Sequence, residues 1–590
     1  MASSSLPPAL TEDTGRNGND GVASRQINTL AQPSSSSRSA VFRNPDIMEM
    51  VFNALSDHAK PAAKSQNLLH AALTSKEFLN PAMNVLWRSL TSLLPILNLI
   101  PSFEIIANER DANRPYYTTS SHIIEDDLTR VDVYSRRVRH LTLLNQSGEN
   151  EHQRIASHIY FSLHELRRFR LFPALKSFTA PTLDQLLPDD LQVLLLVPSP
   201  TLSTVSLSGI DRISEVYVTT FLNQLCGLNS KSLMNLTLWG KQTTNCLLVL
   251  QKSKTLSQLS LCLNDIQDIG NLLVAVSRNA GLVQLALDCR SAKDSHSKLA
   301  LKKPAIIAPP NTFVAERLER IRTIGYMQSI SAIVDAIIKY APNMVSLILE
   351  ICLDDSSSPH FAALKQCLKG VKKNAASLVF LTIVNVHHPM YAFNWSTLEC
   401  IDNWTSLRHL KVLIPVVGLE SDESIDPLVW PFASLNSLEA LTFQVDIWEQ
   451  NGSKLPDTNV TVLTLPQIAR CCPQLKYLRI YIPPKLLADD GVLDKMEREL
   501  EDMRAAHQNP SPIFVPHGLK KLSFLGSRSS KVPKAITPNI SRAVGVAEYL
   551  SLVFPNLTKV NFKAGALELD KDWTDTITTI LTRFKPRPST

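Results

Sequence analysis

The side chains of this 590-residue sequence that could do chemistry stand at spacings that do not suit a reactive site. His387 and His388 are adjacent, and adjacent side chains of a strand point to opposite faces, so the two cannot share one metal ion. His152, His158 and His164 recur every six residues, whereas ligands on one helix face stand three or four residues apart. We therefore expect surface histidines and no metal site.

The nine cysteines also lack a reactive pattern. They are scattered from Cys226 to Cys472 without a Cys-x-x-Cys pair, which fits neither a disulfide framework nor a zinc site. Cys471 and Cys472 stand at the start of a repeat, where we expect them to pack as small apolar side chains. Free cysteines, and an N-terminus without the basic start and apolar core of a secretory signal, predict a cytoplasmic or nuclear protein.

Composition narrows the function classes further. The sequence contains no Gly-rich phosphate loop, His-Glu-x-x-His helix, nucleophile elbow or kinase motif, and glycine is scarce at 18 residues. We therefore expect no catalytic residue and no cofactor. The net charge of +6, from 60 Lys and Arg against 54 Asp and Glu, argues against nucleic acid as the main partner. The longest apolar stretch, Leu90 to Ile100, is far shorter than the ~20 residues that span a bilayer, so no membrane partner is expected.

One pattern recurs along most of the chain. It consists of an apolar residue, two variable residues, an apolar residue, one variable residue and a last apolar residue, as in Leu233, Leu236 and Leu238. The last two apolar residues stand two apart, so they point to the same face of a short strand. About fourteen copies begin at Val138, Leu175, Leu202, Leu233, Leu256, Leu282, Leu318, Met344, Leu378, Leu407, Leu438, Leu475, Leu519 and Leu557.

Between the copies the apolar spacing becomes helical, as at Ile330, Ile333 and Ile337. A repeat of one strand and one helix can bury its apolar stripe only against its neighbours, which predicts a solenoid. The fold class is therefore α/β: a short three-helix unit followed by a leucine-rich-repeat solenoid with a curved parallel sheet. The repeats are degenerate, because the expected ninth-position Asn or Cys is missing from most copies and is present at Asn264 and Cys352.

Several segments interrupt the array. Three long connections are predicted to be solvated loops: residues 290–312, 414–432 and 446–461. Residues 486–506 are predicted to form an extra amphipathic helix that covers the solenoid rather than recruiting a partner. Its apolar side chains share one side: Val492, Met496, Leu500 and Met503.

The first 100 residues are organised differently. Residues 1–40 are rich in Ser, Gly, Asn and Pro and are predicted to be a disordered tail. A helical domain is expected over residues 41–100, and the solenoid over 101–590. Asn44 can cap the first helix, and a third helix is expected to begin at Asn80-Pro81. The apolar stripe of the first helix is broad: Ile47, Met48, Val51, Phe52 and Leu55.

With these residues in view, the chain resembles F-box proteins of the leucine-rich-repeat type that is multiplied in mushroom-forming fungi. Residues 44–52, Asn-Pro-Asp-Ile-Met-Glu-Met-Val-Phe, look like the Pro-x-Ile-Leu-x-x-Ile-Phe opening of the F-box. Residues 71–78, Ala-Ala-Leu-Thr-Ser-Lys-Glu-Phe, and 86–90, Leu-Trp-Arg-Ser-Leu, are similar to its second half.

The resemblance implies a function. F-box proteins of this type dock on the Skp-type adaptor of a cullin–RING ubiquitin ligase, and their repeats hold a protein target. The resemblance implies these adaptor-facing residues: Pro45, Ile47, Met48, Val51, Phe52 and Leu73. It further implies that Trp87 packs the box against the first repeat. The target is not readable, although Arg408, Lys411, Lys476 and Arg479 are candidate exposed strand residues.

Two other hypotheses stay open. The helical domain could be a cap that shields the end of the solenoid, and the whole chain a protein-binding scaffold without a ubiquitin link. An enzyme would need a convergent polar cluster, which the sequence does not show. Docking is favoured because the stripe of the first helix carries more apolar surface than three short helices readily bury.

Overall fold

The computed structural model describes most of the chain after its first 43 residues. The described ranges are 44–58, 61–106, 116–143, 154–167, 171–228, 232–240, 244–263, 269–290, 315–352, 359–385, 398–402, 404–416, 435–447, 462–481, 490–508, 517–525, 540–563 and 571–583. The predicted tail, His152, Asn264 and the pair His387–His388 lie outside these ranges, as do most residues of the three predicted long loops.

Three helices form an N-terminal unit: α1 Pro45–His58, α2 Pro61–Thr74 and α3 Lys76–Trp87. The predicted cap of α1 is confirmed, because Asn44 Oδ1 accepts hydrogen bonds from the backbone N–H groups of Asp46 (3.0 Å) and Ile47 (3.4 Å). The predicted start of α3 at Asn80-Pro81 is wrong. Ser75 Oγ accepts a hydrogen bond from the Glu77 N–H at 3.2 Å, so the helix starts earlier and contains Pro81.

The core of the helical unit is small. Its buried side chains are Met48, Phe52, Leu68, Ala72, Ala82 and Val85. Phe52 packs edge-on against Phe78, with ring centroids 5.7 Å apart. The unit therefore depends on a few apolar side chains, among which the two phenylalanine rings are the largest.

The described ranges after this unit contain eighteen strands: β1 Ser89–Leu90, β2 Phe103–Ile106, β3 Tyr116–Thr119, β4 His140–Thr142, β5 Arg154–Ile155, β6 Ser177–Thr182, β7 Thr204–Ile210, β8 Asn235–Gly240, β9 Gln258–Cys262, β10 Gln284–Cys289, β11 Arg320–Tyr326, β12 Ser346–Cys352, β13 Phe380–Asn385, β14 His409–Val416, β15 Ala440–Ile447, β16 Tyr477–Tyr481, β17 Lys521–Leu525 and β18 Lys559–Lys563. Fifteen of them form one sheet in which each strand pairs in parallel with the next; β2, β3 and β5 form a second sheet.

The sheet confirms the repeat pattern, because every predicted copy coincides with a strand. The central apolar residues pair with one another across neighbouring strands, as Leu236 does with Leu259 and Leu285 with Ile321. These side chains are buried, as predicted from their period of two. The first strand, β1, does not match the pattern. Trp87 and Leu90 have the spacing of the first two apolar residues, but the third position is occupied by the polar Ser92.

Most of the described strands are followed by a helix, and the helices of the second part of the chain are α4 Leu94–Leu97, α5 Thr129–Ser135, α6 Ser157–Arg167, α7 Ser214–Gly227, α8 Thr244–Leu250, α9 Ile269–Arg278, α10 Met327–Ile338, α11 Pro359–Asn374, α12 Leu465–Cys471, α13 Asp490–Gln508, α14 Ile540–Val553 and α15 Lys571–Arg583. The helical spacing is confirmed in α10, where Ile330, Ile333 and Ile337 are fully buried. The fold is a leucine-rich-repeat-like α/β solenoid with one continuous apolar core.

The predicted amphipathic helix is α13. Met496 and Leu500 are buried in the solenoid core, which confirms that this helix covers the repeats. Tyr549 of α14 donates a hydrogen bond to a Glu499 carboxylate oxygen at 2.9 Å, and Arg504 pairs with Glu548. The side chains of Val492 and Met503 lie outside the described set.

The described residues divide into two compact units, one that ends at Leu86 and one that begins at Trp87, whereas the boundary expected from sequence lies near residue 100. The reason is β1, which pairs with β4 through Ser89–His140 and Leu90–Leu141. In the second unit the Trp87 ring packs on Tyr134, with ring centroids 4.6 Å apart.

A buried histidine joins three late repeats. His517 Nε2 contacts the Cys472 carbonyl oxygen at 2.8 Å, and the Leu519 N–H donates to its Nδ1 at 3.1 Å. Asn556 in turn donates to the His517 carbonyl oxygen at 3.1 Å. These partners require a neutral ring with its proton on Nε2, because Nδ1 must accept. Burial accordingly lowers the pKa of His517 from its ordinary 6.5, opposed in part by the Cys472 carbonyl.

We expect this histidine to make the solenoid sensitive to acid. Because its pKa is lower in the folded state, the unfolded chain takes up the proton first, so the contribution to stability is complete above pH 6.5 and is lost as the pH falls below it. The melting temperature should fall more between pH 7.5 and 5.5 in the wild type than in His517→Gln, which keeps a donor and an acceptor but does not titrate. Parallel curves for the two proteins would contradict this.

Candidate protein-docking surfaces

The helical unit exposes much of its apolar surface. Of the 21 large hydrophobic residues found exposed in the described chain, seven lie in this short unit: Ile47, Met50, Val51, Leu55, Leu69, Leu73 and Leu79. Isolated exposed apolar side chains are ordinary, but this density is not. The unit therefore exposes more apolar surface than its length would ordinarily leave in solvent.

The arrangement follows from helix geometry. In α1 the buried residues Met48, Phe52 and Ser56 stand four apart, and the exposed residues one position before each also stand four apart. These three exposed residues form what we call the α1 stripe: Ile47, Val51 and Leu55, with 38%, 45% and 53% of their surface exposed. The apolar face of α1 is thus wider than the core it covers, and its outer half remains in solvent.

Helix α2 repeats this arrangement. Leu68 and Ala72 are buried, whereas Leu69 and Leu73, which we call the α2 pair, are exposed by 45% and 74%. Full burial of one such side chain by a partner contributes about 1.5–3 kcal/mol. The α1 stripe and the α2 pair together can therefore supply several kcal/mol of binding free energy.

The six residues implied to face an adaptor divide into two groups. Pro45, Ile47, Val51 and Leu73 are exposed and can reach a partner. Met48 and Phe52, each 3% exposed, lie instead in the core of the unit, because the three short helices have few other large side chains to bury. Leu55 and Leu69 were not among the six, although the four-residue spacing from Val51 and Leu73 points to them.

The outward face of the solenoid sheet is the second surface. On each strand the residues directly before and after the central buried residue point away from the core, as Gln258 and Ser260 do around Leu259. Parallel pairing places equivalent outward residues side by side from strand to strand. Such a surface can contact a polypeptide along many strands.

In the described ranges no group of three or more His, Cys, Asp or Glu side chains could hold a metal ion. His158 is exposed and lies 3.2 Å from Thr119 Oγ1, whereas His164 is half-buried, and burial lowers its pKa. Cys472 is buried in the core, where desolvation raises the pKa of its thiol to about 12, and Cys471 is half-buried against the same core. Such thiols are unreactive at neutral pH.

In the described part of the chain no helix combines the length and the apolar character needed to cross a membrane. No protein-family model matches the chain, and no curated protein is significantly similar to it.

Solved structures that are similar to it include two that are each 14% identical. A chain of the yeast Rad7–Elc1 complex is 14% identical, with 84% of this chain and 91% of that chain covered and a TM-score of 0.31. A chain of the TLR13–ssRNA13 complex is also 14% identical, with 72% and 50% covered and a TM-score of 0.28. The description of the fold therefore rests on the strands and their register.

Proposed function

We propose that this protein is a non-catalytic receptor that binds a Skp-type adaptor of a cullin–RING ubiquitin ligase through its helical unit and a target protein through its solenoid. The observation that carries the proposal is the exposure of the α1 stripe and the α2 pair on a unit whose own core is small. In this function the ligase is the catalyst, and the receptor brings the target protein close to it.

The size of the helical unit supports a bound partner. A domain below roughly 70 residues seldom obtains more than ~3–5 kcal/mol from its core alone. A partner that binds the folded helices shifts their folding equilibrium toward the native state. A partner that buries the apolar side chains of α1 and α2 therefore explains why leucines are exposed in the unbound unit. It also explains how a unit with so small a core is stabilised.

The test is co-elution of the purified chain with a recombinant Skp-type adaptor on a sizing column, followed by titration. We expect Val51→Asp with Leu73→Asp to weaken adaptor binding at least ~30-fold, because two buried apolar contacts become buried charges. Both side chains are exposed, so the helices should remain folded.

The matched control is Leu187→Asp with Val216→Asp, which changes two exposed apolar residues of the solenoid. It should bind the adaptor like the wild type. Equal adaptor affinity in the wild type and the Val51/Leu73 variant would refute docking through this surface.

A scaffold without a ubiquitin link is the second candidate function. It is favoured by the burial of Met48 and Phe52, which removes two of the six residues implied to face an adaptor. Under this function no adaptor would co-elute even with the wild type, while the solenoid would still bind its target.

A further inference from the structure

The outward face of the solenoid sheet changes its charge along its length. On β4 and β6 to β9 the outward residues next to the central buried residue, with the residue just before each strand, include two cations, Arg139 and Lys176; apart from these and His140 they are Ser, Thr, Asn, Gln or Met. On β14 to β18 the outward residues, with the residue just before each strand, include seven Lys or Arg side chains. We call these the basic ladder: Arg408, Lys411, Lys476, Arg479, Lys520, Lys521 and Lys559.

One carboxylate, Glu439, lies at the equivalent positions of these five strands. It pairs with Lys476 Nζ at 2.7 Å and with Arg408 Nη1 at 3.3 Å. Within the described ranges Lys411, Lys521 and Lys559 are exposed and form no ion pair. The ladder is therefore far from neutral, although the whole chain carries a net charge of only +6.

Two aromatic side chains accompany the cations. Phe380 of β13 stacks on His409 of β14, with ring centroids 4.3 Å apart and planes 8° from parallel. Phe380 is 41% exposed and Tyr477 of β16 is 50% exposed. Burial and the nearby cations Arg408 and Lys476 lower the pKa of His409, opposed by Glu439. Exposed rings beside cations are typical of the centre of protein interfaces.

We propose that the outward face of β13 to β18 binds an acidic, extended polypeptide segment of the target. The inference rests on the proposed function in one respect, that the solenoid is the target-binding part. Strands ~4.8 Å apart place the ladder over ~19 Å from β14 to β18, which about six residues of extended polypeptide would cross. Its carboxylates would pair with the lysines, and its apolar side chains would contact Phe380 and Tyr477.

The Glu439 carboxylate favours a polypeptide over a nucleic acid as the ligand of this surface. A nucleic-acid strand carries a negative charge at every nucleotide, about one per 3.4 Å of helix axis, so some phosphate would approach this carboxylate. A polypeptide can place a neutral side chain there. The Glu439 carboxylate is also kept ionised, because the Lys476 hydrogen bond and charge, with Arg408, lower its pKa.

The test uses fluorescence anisotropy of a fluorescein-labelled peptide in which glutamate alternates with serine and leucine, titrated with the full chain. At low ionic strength we expect Lys411→Glu with Lys521→Glu and Lys559→Glu, three exposed residues, to weaken binding at least about tenfold, because each reversal replaces attraction by repulsion. Five of the seven ladder cations are exposed, whereas Lys476 and Arg479 are half-buried, so added salt should weaken binding to the wild type.

The matched control reverses three exposed cations outside the ladder: Arg130→Glu, Arg212→Glu and Lys373→Glu. This control has the same net charge as the test variant and should bind the peptide like the wild type. Equal losses in both variants would overturn the proposal, as would displacement of the peptide by single-stranded oligothymidine at lower concentration than by unlabelled peptide.

Two further measurements keep the outcomes distinct. Tyr477→Ser retains every cation and should weaken the peptide severalfold; unchanged affinity would remove the aromatic part of the proposal.

The ladder variant should still co-elute with the adaptor, because the α1 stripe is untouched. The ladder variant should lose peptide binding and keep adaptor binding, whereas the Val51/Leu73 variant should lose adaptor binding and keep peptide binding. These opposite results separate this inference from the proposed function.

Discussion

Replacing Gly240 by alanine will lower the free energy of unfolding of the solenoid by about 3 kcal/mol or more. Gly240 ends β8 with φ of +135°, a conformation that side chains with a Cβ rarely adopt. A Cβ built there would lie 2.2 Å from the backbone nitrogen of Ile210 and 2.4 Å from its carbonyl oxygen. Backbone cannot move aside like a flexible side chain, so β7 and β8 must separate at this point.

Urea unfolding followed by circular dichroism measures this effect. The control is Gly270→Ala in α9, where an added Cβ meets no atom within 4 Å. Alanine favours helices over glycine by up to about 1 kcal/mol, so the control should leave the midpoint unchanged or raise it. Similar midpoints for the two variants would show that the β7–β8 contact at Gly240 is looser than described.

Replacing Phe52 by alanine will unfold the helical unit. Truncation of a buried phenylalanine costs about 3–5 kcal/mol, which equals the whole stability expected for a unit of this size. Phe52 is 3% exposed and loses its edge contact with Phe78. Limited proteolysis should cut the variant within residues 45–86 while the solenoid resists.

Leu73→Ala provides the comparison, because Leu73 is 74% exposed and its truncation should change stability by less than ~0.5 kcal/mol. Equal resistance of the Phe52 and Leu73 variants to protease would contradict the assignment of Phe52 to the core. The pair also separates folding from docking, since both positions were implied to face an adaptor.

The repeats could be predicted from sequence because their pattern has a physical cause that is local. A period of two buries both of the last apolar residues of a copy, and parallel stacking then aligns Leu236 with Leu259 without further information. The pattern does not contain β1, which is two residues long, nor the separate sheet of β2, β3 and β5. Those strands have no repeat to identify them.

The candidate surfaces were less predictable. The whole apolar face of α1 contains five residues at adjacent helix positions, and sequence alone does not tell which half of that face packs inward. The choice depends on Leu68, Ala72 and Val85 of the neighbouring helices, which cover Met48 and Phe52 and leave Val51 outside. In the solenoid, sequence identified Arg408, Lys411, Lys476 and Arg479 as candidate exposed residues, but their alignment with Lys520, Lys521 and Lys559 depends on how the strands stack.

The proposed docking is tested most directly by amide hydrogen exchange of the full chain with and without a Skp-type adaptor. Binding to the α1 stripe and the α2 pair should slow exchange across Pro45–His58 and Pro61–Thr74, because a partner that stabilises the folded helices suppresses their opening. The Val51→Asp, Leu73→Asp variant should show no such change. Adaptor-dependent protection confined to the solenoid, or none at saturating adaptor, would contradict the account.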